Sequence, residues 1–140
     1  MNNEYSIIDI YNKGLNFSFN LTLNRKTSLK MLAKIPFSVI RGGNLKKVIL
    51  SKFTDRDLMS FYKKIYFESF KSFGEVIDID TALPRKINTL LNFEKNEKAV
   101  SYLYNIDYDI SKISKILDQT HNQTKHALLS SLRKMNEVYI

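Results

Sequence analysis

Residues 109–135 read DISKISKILDQTHNQTKHALLSSLRKM, and this stretch decides the organisation of the last third of the chain. Ile110, Ile113, Ile116 and Leu117 recur at helical spacing. They imply a helix from Asp109 to about Leu117, with Asp109 or Asp107 placed to cap it. Asp118-Gln119-Thr120-His121 is a short break. A longer helix then runs from about His121 to Val138, capped by Thr120, with Ala127, Leu128, Leu132 and Met135 facing inward. Upstream, roughly Glu94 to Tyr104 forms another helix, with Phe93, Ala99, Val100 and Leu103 turned in. A short helix, a tight turn and a longer helix cannot bury their apolar stripes side by side, so the longer one projects its early residues outward. Those residues are Asn122, Gln123, Lys125, His126 and Ser130. Asn and Gln can bond base edges bidentately, Lys and Arg can neutralise phosphates, and Thr120 at the helix start offers backbone N–H groups to a phosphate.

Glu97, Ile113 with Leu117, Thr120, Lys125 and Leu132-Arg133-Lys134-Met135 follow one another at a spacing that needs no gaps. On these residues the segment from Phe93 to Asn136 resembles the helix-turn-helix of LuxR/GerE-type regulators, and it is similar to region 4 of bacterial sigma factors. It departs from that pattern at Ile106-Asp107-Tyr108, where the family has Gly, at Lys112 in place of a Glu, and at Thr124 in place of a buried aliphatic residue. The resemblance implies that the third helix, Asn122 to Arg133, enters the major groove of double-stranded DNA. The expected DNA-contacting set is Thr120, His121, Asn122, Gln123, Lys125, His126, Ser130, Arg133 and Lys134. Regulators of this type act as dimers on palindromic sites, so a homodimer is expected.

The N-terminal part reads differently. Leu15, Phe17, Phe19, Leu21 and Leu23 alternate with polar residues, which predicts a half-buried strand. Asn24-Arg25-Lys26 reads as a turn, followed by a short helix from Thr27 or Ser28 through Ile35. Two β-rich runs around Gly42-Gly43-Asn44 suggest a hairpin. Thr54 is a good N-cap for a helix from Asp55 to about Phe73, with Leu58, Phe61, Tyr62, Ile65 and Phe70 as its apolar stripe. Phe53, Phe61, Tyr62, Tyr66, Phe67, Phe70 and Phe73 sit among Lys52, Arg56, Lys63, Lys64 and Lys71, a pattern that can bind single-stranded nucleic acid. Rings spaced on one helix favour core and dimerisation, however, and Tyr66 and Phe67, off the stripe, point to burial by a second copy. The expected fold class is therefore α+β: a small N-terminal unit, residues 1–75, with a hairpin and a long helix; a connector, residues 76–92; and an all-α helix-turn-helix unit, residues 93–140.

The net charge is +8. Residues 1–92 hold 15 Lys/Arg against 8 Asp/Glu, a net of +7, and residues 93–140 hold 7 against 6, a net of +1. This balance favours a polyanionic partner or is simply a solvated, solubilising face; the reading helix would depend on dimerisation, or on the basic surface between Arg25 and Lys64, for most of its grip. With no cysteine there is neither a disulfide nor a thiolate metal site. His121 and His126, five apart, do not share a helix face, so no metal and no cofactor are expected. Asp78 and Asp80 lack partners for acid-base work, Gly42-Gly43 lacks the spacing of a phosphate loop, and no nucleophile–base arrangement assembles, so the chain does not read as an enzyme. No run is long and apolar enough to span a bilayer and the first residues are polar, which predicts a cytoplasmic protein. The function expected is a sequence-specific DNA-binding transcriptional regulator. A sigma-like or RNA polymerase-binding factor and a protein-interaction or inhibitor module are the alternatives.

Overall fold

The computed structural model describes residues 4–35, 52–71 and 93–139, with side chains as far as Met135. The described residues hold six helices: α1 (Ile7–Thr22), α2 (Arg25–Ala33), α3 (Asp55–Lys71), α4 (Lys95–Asn105), α5 (Ile110–Leu117) and α6 (His121–Tyr139). The chain divides into two compact units, Met1–Asp78 and Ile79–Ile140.

The expected α+β class is overturned, because the described residues are helical and their only β feature is an isolated antiparallel bridge between Tyr5 and Phe53. The expected strand from Leu15 to Leu23 lies in α1 and its C-cap. Its alternation coincides with a helical stripe: Ile10, Gly14, Phe17, Ser18, Leu21 and Thr22 are buried, at helical spacing. The start of α1 is a reciprocal capping box. Ser6 Oγ accepts from the Asp9 N–H and Asp9 Oδ2 accepts from the Ser6 N–H, both at 3.1 Å. Asn24, read as a turn residue, caps α2 by accepting from the Thr27 N–H at 2.8 Å. The hairpin expected around Gly42-Gly43 lies outside the described residues.

In the first unit α1 packs on α2 and α3. Phe17 and Tyr62 meet edge to face, with ring centroids 5.1 Å apart. Gly14 permits the close approach of α1 to α3, since a Cβ there would overlap the Phe61 ring. Thr54 caps α3 in a second box with Asp57, and Asp55 and Asp57 oppose the helix dipole. The main-chain pair between Tyr5 and Phe53, at 2.7 and 2.8 Å, ties the N-terminal segment to the entry of α3. Leu58, Phe61, Tyr62 and Ile65 are buried as their spacing predicts. Tyr66 is also buried within this unit rather than left for a second copy, whereas Phe70 is exposed.

In the second unit Phe93, Ala99, Val100, Leu103, Ile113, Ile116 and Leu117 form the apolar centre. Both turns are built alike. After α4, the Tyr108 N–H donates to Leu103 O and the Asp107 N–H to Tyr104 O; after α5, the Gln119 N–H donates to Ser114 O and the Asp118 N–H to Lys115 O. This is the paired bonding of the Schellman motif, which places one residue in the left-handed region. Here that residue is Asp each time, with φ 75° at Asp107 and 53° at Asp118. Asp107 thus occupies the conformation that a Gly would adopt without strain.

Two substitutions test this packing by denaturant unfolding. Gly14→Ala is expected to destabilise the chain by about 1–3 kcal/mol through overpacking against Phe61, despite alanine's better helix propensity. Asp118→Gly is expected to stabilise it by about 0.5–1 kcal/mol by relieving the left-handed strain.

Candidate nucleic-acid interface

The α5–α6 turn sets which face of α6 is exposed. Thr120 and Gln123 form a third capping box: Thr120 Oγ1 accepts from the Gln123 N–H at 3.1 Å, and Gln123 Oε1 accepts from the Thr120 N–H at 2.9 Å. Thr124, fully buried, sits at the centre of a polar cluster. Its Oγ1 lies 2.8 Å from Ser114 Oγ and 3.0 Å from Thr120 O, and it accepts from Gln119 Nε2 at 3.0 Å. Gln119 in turn accepts from Asn96 Nδ2 at 2.5 Å, which links the turn to α4. Thr124 therefore satisfies its hydroxyl within the turn.

The far half of α6 is held by Glu97. This buried carboxylate accepts from the Glu94 N–H at 2.8 Å, from Ser130 Oγ at 2.5 Å and from Lys134 Nζ at 2.6 Å. The Lys134 ammonium also lies 5.8 Å from the centre of the Phe93 ring. Ser131 Oγ, buried, faces Ala127 O at 2.7 Å and Glu97 O at 3.2 Å. Burial alone would raise the Glu97 pKa. The hydrogen bonds from Lys134, Ser130 and the Glu94 backbone, with the charge of Lys134, outweigh it and hold the carboxyl below its ordinary value. Burial lowers the pKa of Lys95, and burial with the charge of Lys95 lowers that of Lys98.

Of the nine residues expected to contact DNA, Thr120, His121, Asn122, Gln123, Lys125, His126 and Arg133 are exposed. Gln123 is engaged by the cap. Ser130 and Lys134 turn toward Glu97 and belong to the helix–helix contact. Asn122, His126, Leu129 and Arg133 follow one another at helical spacing along the face opposite the buried residues Thr124, Ala127 and Ser131. Leu129 is 61% exposed, and Leu132, expected to face inward, is 47% exposed. The burial of Thr124 rotates the inward stripe away from Leu132. A count of seven residues from Asn122 would have placed Leu129 on the outer face. On α5, Lys112 and Lys115 are exposed as well, and so are Asp109 and Asp118 near its ends.

A groove of about 380 Å³ runs beside this face, lined among others by Asn96, Glu97, Gln119, Gln123 and His126. Among the described residues no cluster of His, Cys, Asp and Glu could hold a metal ion, and no helix is long and apolar enough to cross a membrane. Compared with known family models, curated proteins and solved structures, the chain finds no match.

The Glu97 cluster gives a pH-dependent expectation. A carboxyl whose pKa is depressed by folding contributes stability that is fully present above the unfolded value, about 4.3, and is lost as pH falls through the folded value. Glu97→Gln should therefore be less stable than the wild type at pH 7, and the difference should shrink below about pH 4. Denaturant midpoints at several pH values would show it; a difference independent of pH would refute the assigned role of the carboxylate.

Proposed function

We propose that the second unit is a DNA-binding helix-turn-helix of a sequence-specific transcriptional regulator, with α6 as the reading helix. The observation that carries this reading is the outer face of α6, where Asn122, Lys125, His126 and Arg133 project while its inner face is locked to α4 and α5. The resemblance of 93–136 to LuxR/GerE-type regulators supports it. Asn122 is suited to adenine, which offers a donor and an acceptor to one amide. Lys125 and Arg133 supply charge to the phosphates. Leu129 stands one turn from each of them and can meet a thymine methyl group. Binding as a homodimer in the cytoplasm, on a palindromic site, belongs to the same proposal.

A second reading is favoured by Leu132, which is 47% exposed and has Leu128 rather than a cation at i−4. Exposed apolar side chains on a helix of near-neutral surroundings also suit docking onto a protein, RNA polymerase included. The two readings separate by salt dependence, since phosphate neutralisation gives a steep fall in affinity with salt and apolar docking does not.

Selection of bound sequences from random duplex DNA, followed by anisotropy titrations, tests the proposal. Lys125→Ala should weaken binding to all duplexes and reduce the salt slope by about 0.9. Asn122→Ala should cost about 1–3 kcal/mol on the preferred site and little elsewhere. Duplex binding that both variants leave unchanged would remove α6 from the interface.

A further inference from the structure

A groove of about 440 Å³ opens in the first unit between the C-terminal end of α2 and the second half of α3. Lys34, Lys63, Lys64 and Lys71 line it against the single carboxylate of Glu68, with Ile35 and Phe67 as its apolar part. On α3 the arrangement is regular. Lys63 and Lys64 lie four and three residues before Phe67, and Lys71 lies four after it, so all three surround the ring on one helical face. Lys34, the C-cap of α2, lines the same groove from the other helix. Lys63, Lys64 and Lys71 form no ion pair among the described residues.

Phe67 is 37% exposed although its neighbour Tyr66 is buried. Its ring is held edge to face on Tyr66, centroids 6.0 Å apart, and Tyr66 meets Phe70 in the same way at 5.0 Å. The like charges of Lys63, Lys64 and Lys71 on one helical face repel one another, and a polyanion would relieve that repulsion. A half-exposed ring fixed among the ammonium groups adds a platform for a flat apolar partner. Phosphates and an accessible base face occur together in single-stranded nucleic acid, where bases are not covered by duplex stacking. The run from Lys64 to Lys71 covers about 10 Å along the helix, longer than one phosphate group needs.

We propose that this groove binds single-stranded nucleic acid, with Phe67 stacking on a base and Lys63, Lys64 and Lys71 holding the adjoining phosphates. The assignment is independent of the reading of α6.

The test is an anisotropy titration of the full chain with a labelled single-stranded DNA of about 12 nucleotides, and with the corresponding duplex, at two salt concentrations. Phe67→Ala should weaken single-strand binding at least about fivefold and leave the salt slope unchanged. Lys63→Ala with Lys64→Ala should weaken it and lower the slope by about 1.4. Asn122→Ala should leave single-strand binding intact, so that failure of the α6 reading is seen separately in the duplex arm. Circular dichroism of each variant verifies the fold. The proposal is overturned if the wild type does not bind the single strand at low salt, or if Phe67→Ala binds it as tightly as the wild type. It is equally overturned if Phe67→Ala instead converts a dimer to a monomer with single-strand binding unchanged, which would make the face a subunit contact.

Discussion

The second unit depends on the carboxylate of Glu97. The residues that α6 buries most fully are Thr124, Ala127 and Ser131, which are small or polar, and Leu128 and Met135 are only half-buried, so apolar burial leaves part of the holding of this helix to other interactions. Hydrogen bonds take that role. Glu97 receives the α4 backbone at Glu94 and two side chains from α6, while Thr124, Gln119 and Asn96 join the other end of α6 to α5 and α4. The small inner side chains let the helices approach closely enough for these bonds to form. A buried carboxylate without them would carry a desolvation cost of several kcal/mol, so the cluster holds only when complete. The direction in which α6 presents Asn122 and Arg133 is thus set by polar geometry more than by hydrophobic packing.

That solution has an electrostatic consequence. Lys134 is drawn into the helix–helix contact and Ser130 with it, so two of the residues that sequence spacing assigns to DNA are used internally. Lys112, Lys115, Lys125 and Arg133 are exposed on α5 and α6, and the exposed Asp109 and Asp118 near the ends of α5 offset part of that charge. On the proposed reading this surface discriminates more than it grips. The net charge of residues 1–92 is +7, and in the first unit Lys34, Lys63, Lys64 and Lys71 line one groove with Phe67.

The C-terminal helices were legible because each carries its own boundary signal. Asp109 caps α5, Thr120 with Gln123 caps α6, and the Ile and Leu spacing between them has one period only. The α3 start was legible for the same reason at Thr54 and Asp57. The α1 segment reads as a strand because Leu15, Phe17, Phe19, Leu21 and Leu23 satisfy a period of two, whereas the helix buries Gly14 and Ser18, which carry no hydrophobic signal. The Ser6-Ile7-Ile8-Asp9 capping box was the cue that would have settled it. Within α6 the element was legible and the face was not. A scheme that counts only apolar residues as inward cannot anticipate a helix that buries Thr124 and Ser131.

This inversion bears on what α6 is for. A helix that places Thr124 and Ser131 inside and Leu129 and Leu132 outside forgoes apolar burial that the reverse rotation would provide. Three features hold it in place: the Glu97 cluster, the Thr124 cluster and the capping box at Thr120. Such an arrangement is stable as a fold, yet it leaves two leucines in water beside Lys125 and Arg133. The unrecovered term is returned when a partner covers them. A duplex groove offers thymine methyl groups between phosphates, which matches an apolar side chain bracketed by cations at i−4 and i+4 better than a purely apolar protein surface does, because the latter would have to desolvate both charges. The placement of Leu129 between Lys125 and Arg133 is therefore the feature of α6 that most favours a nucleic-acid partner over a protein one.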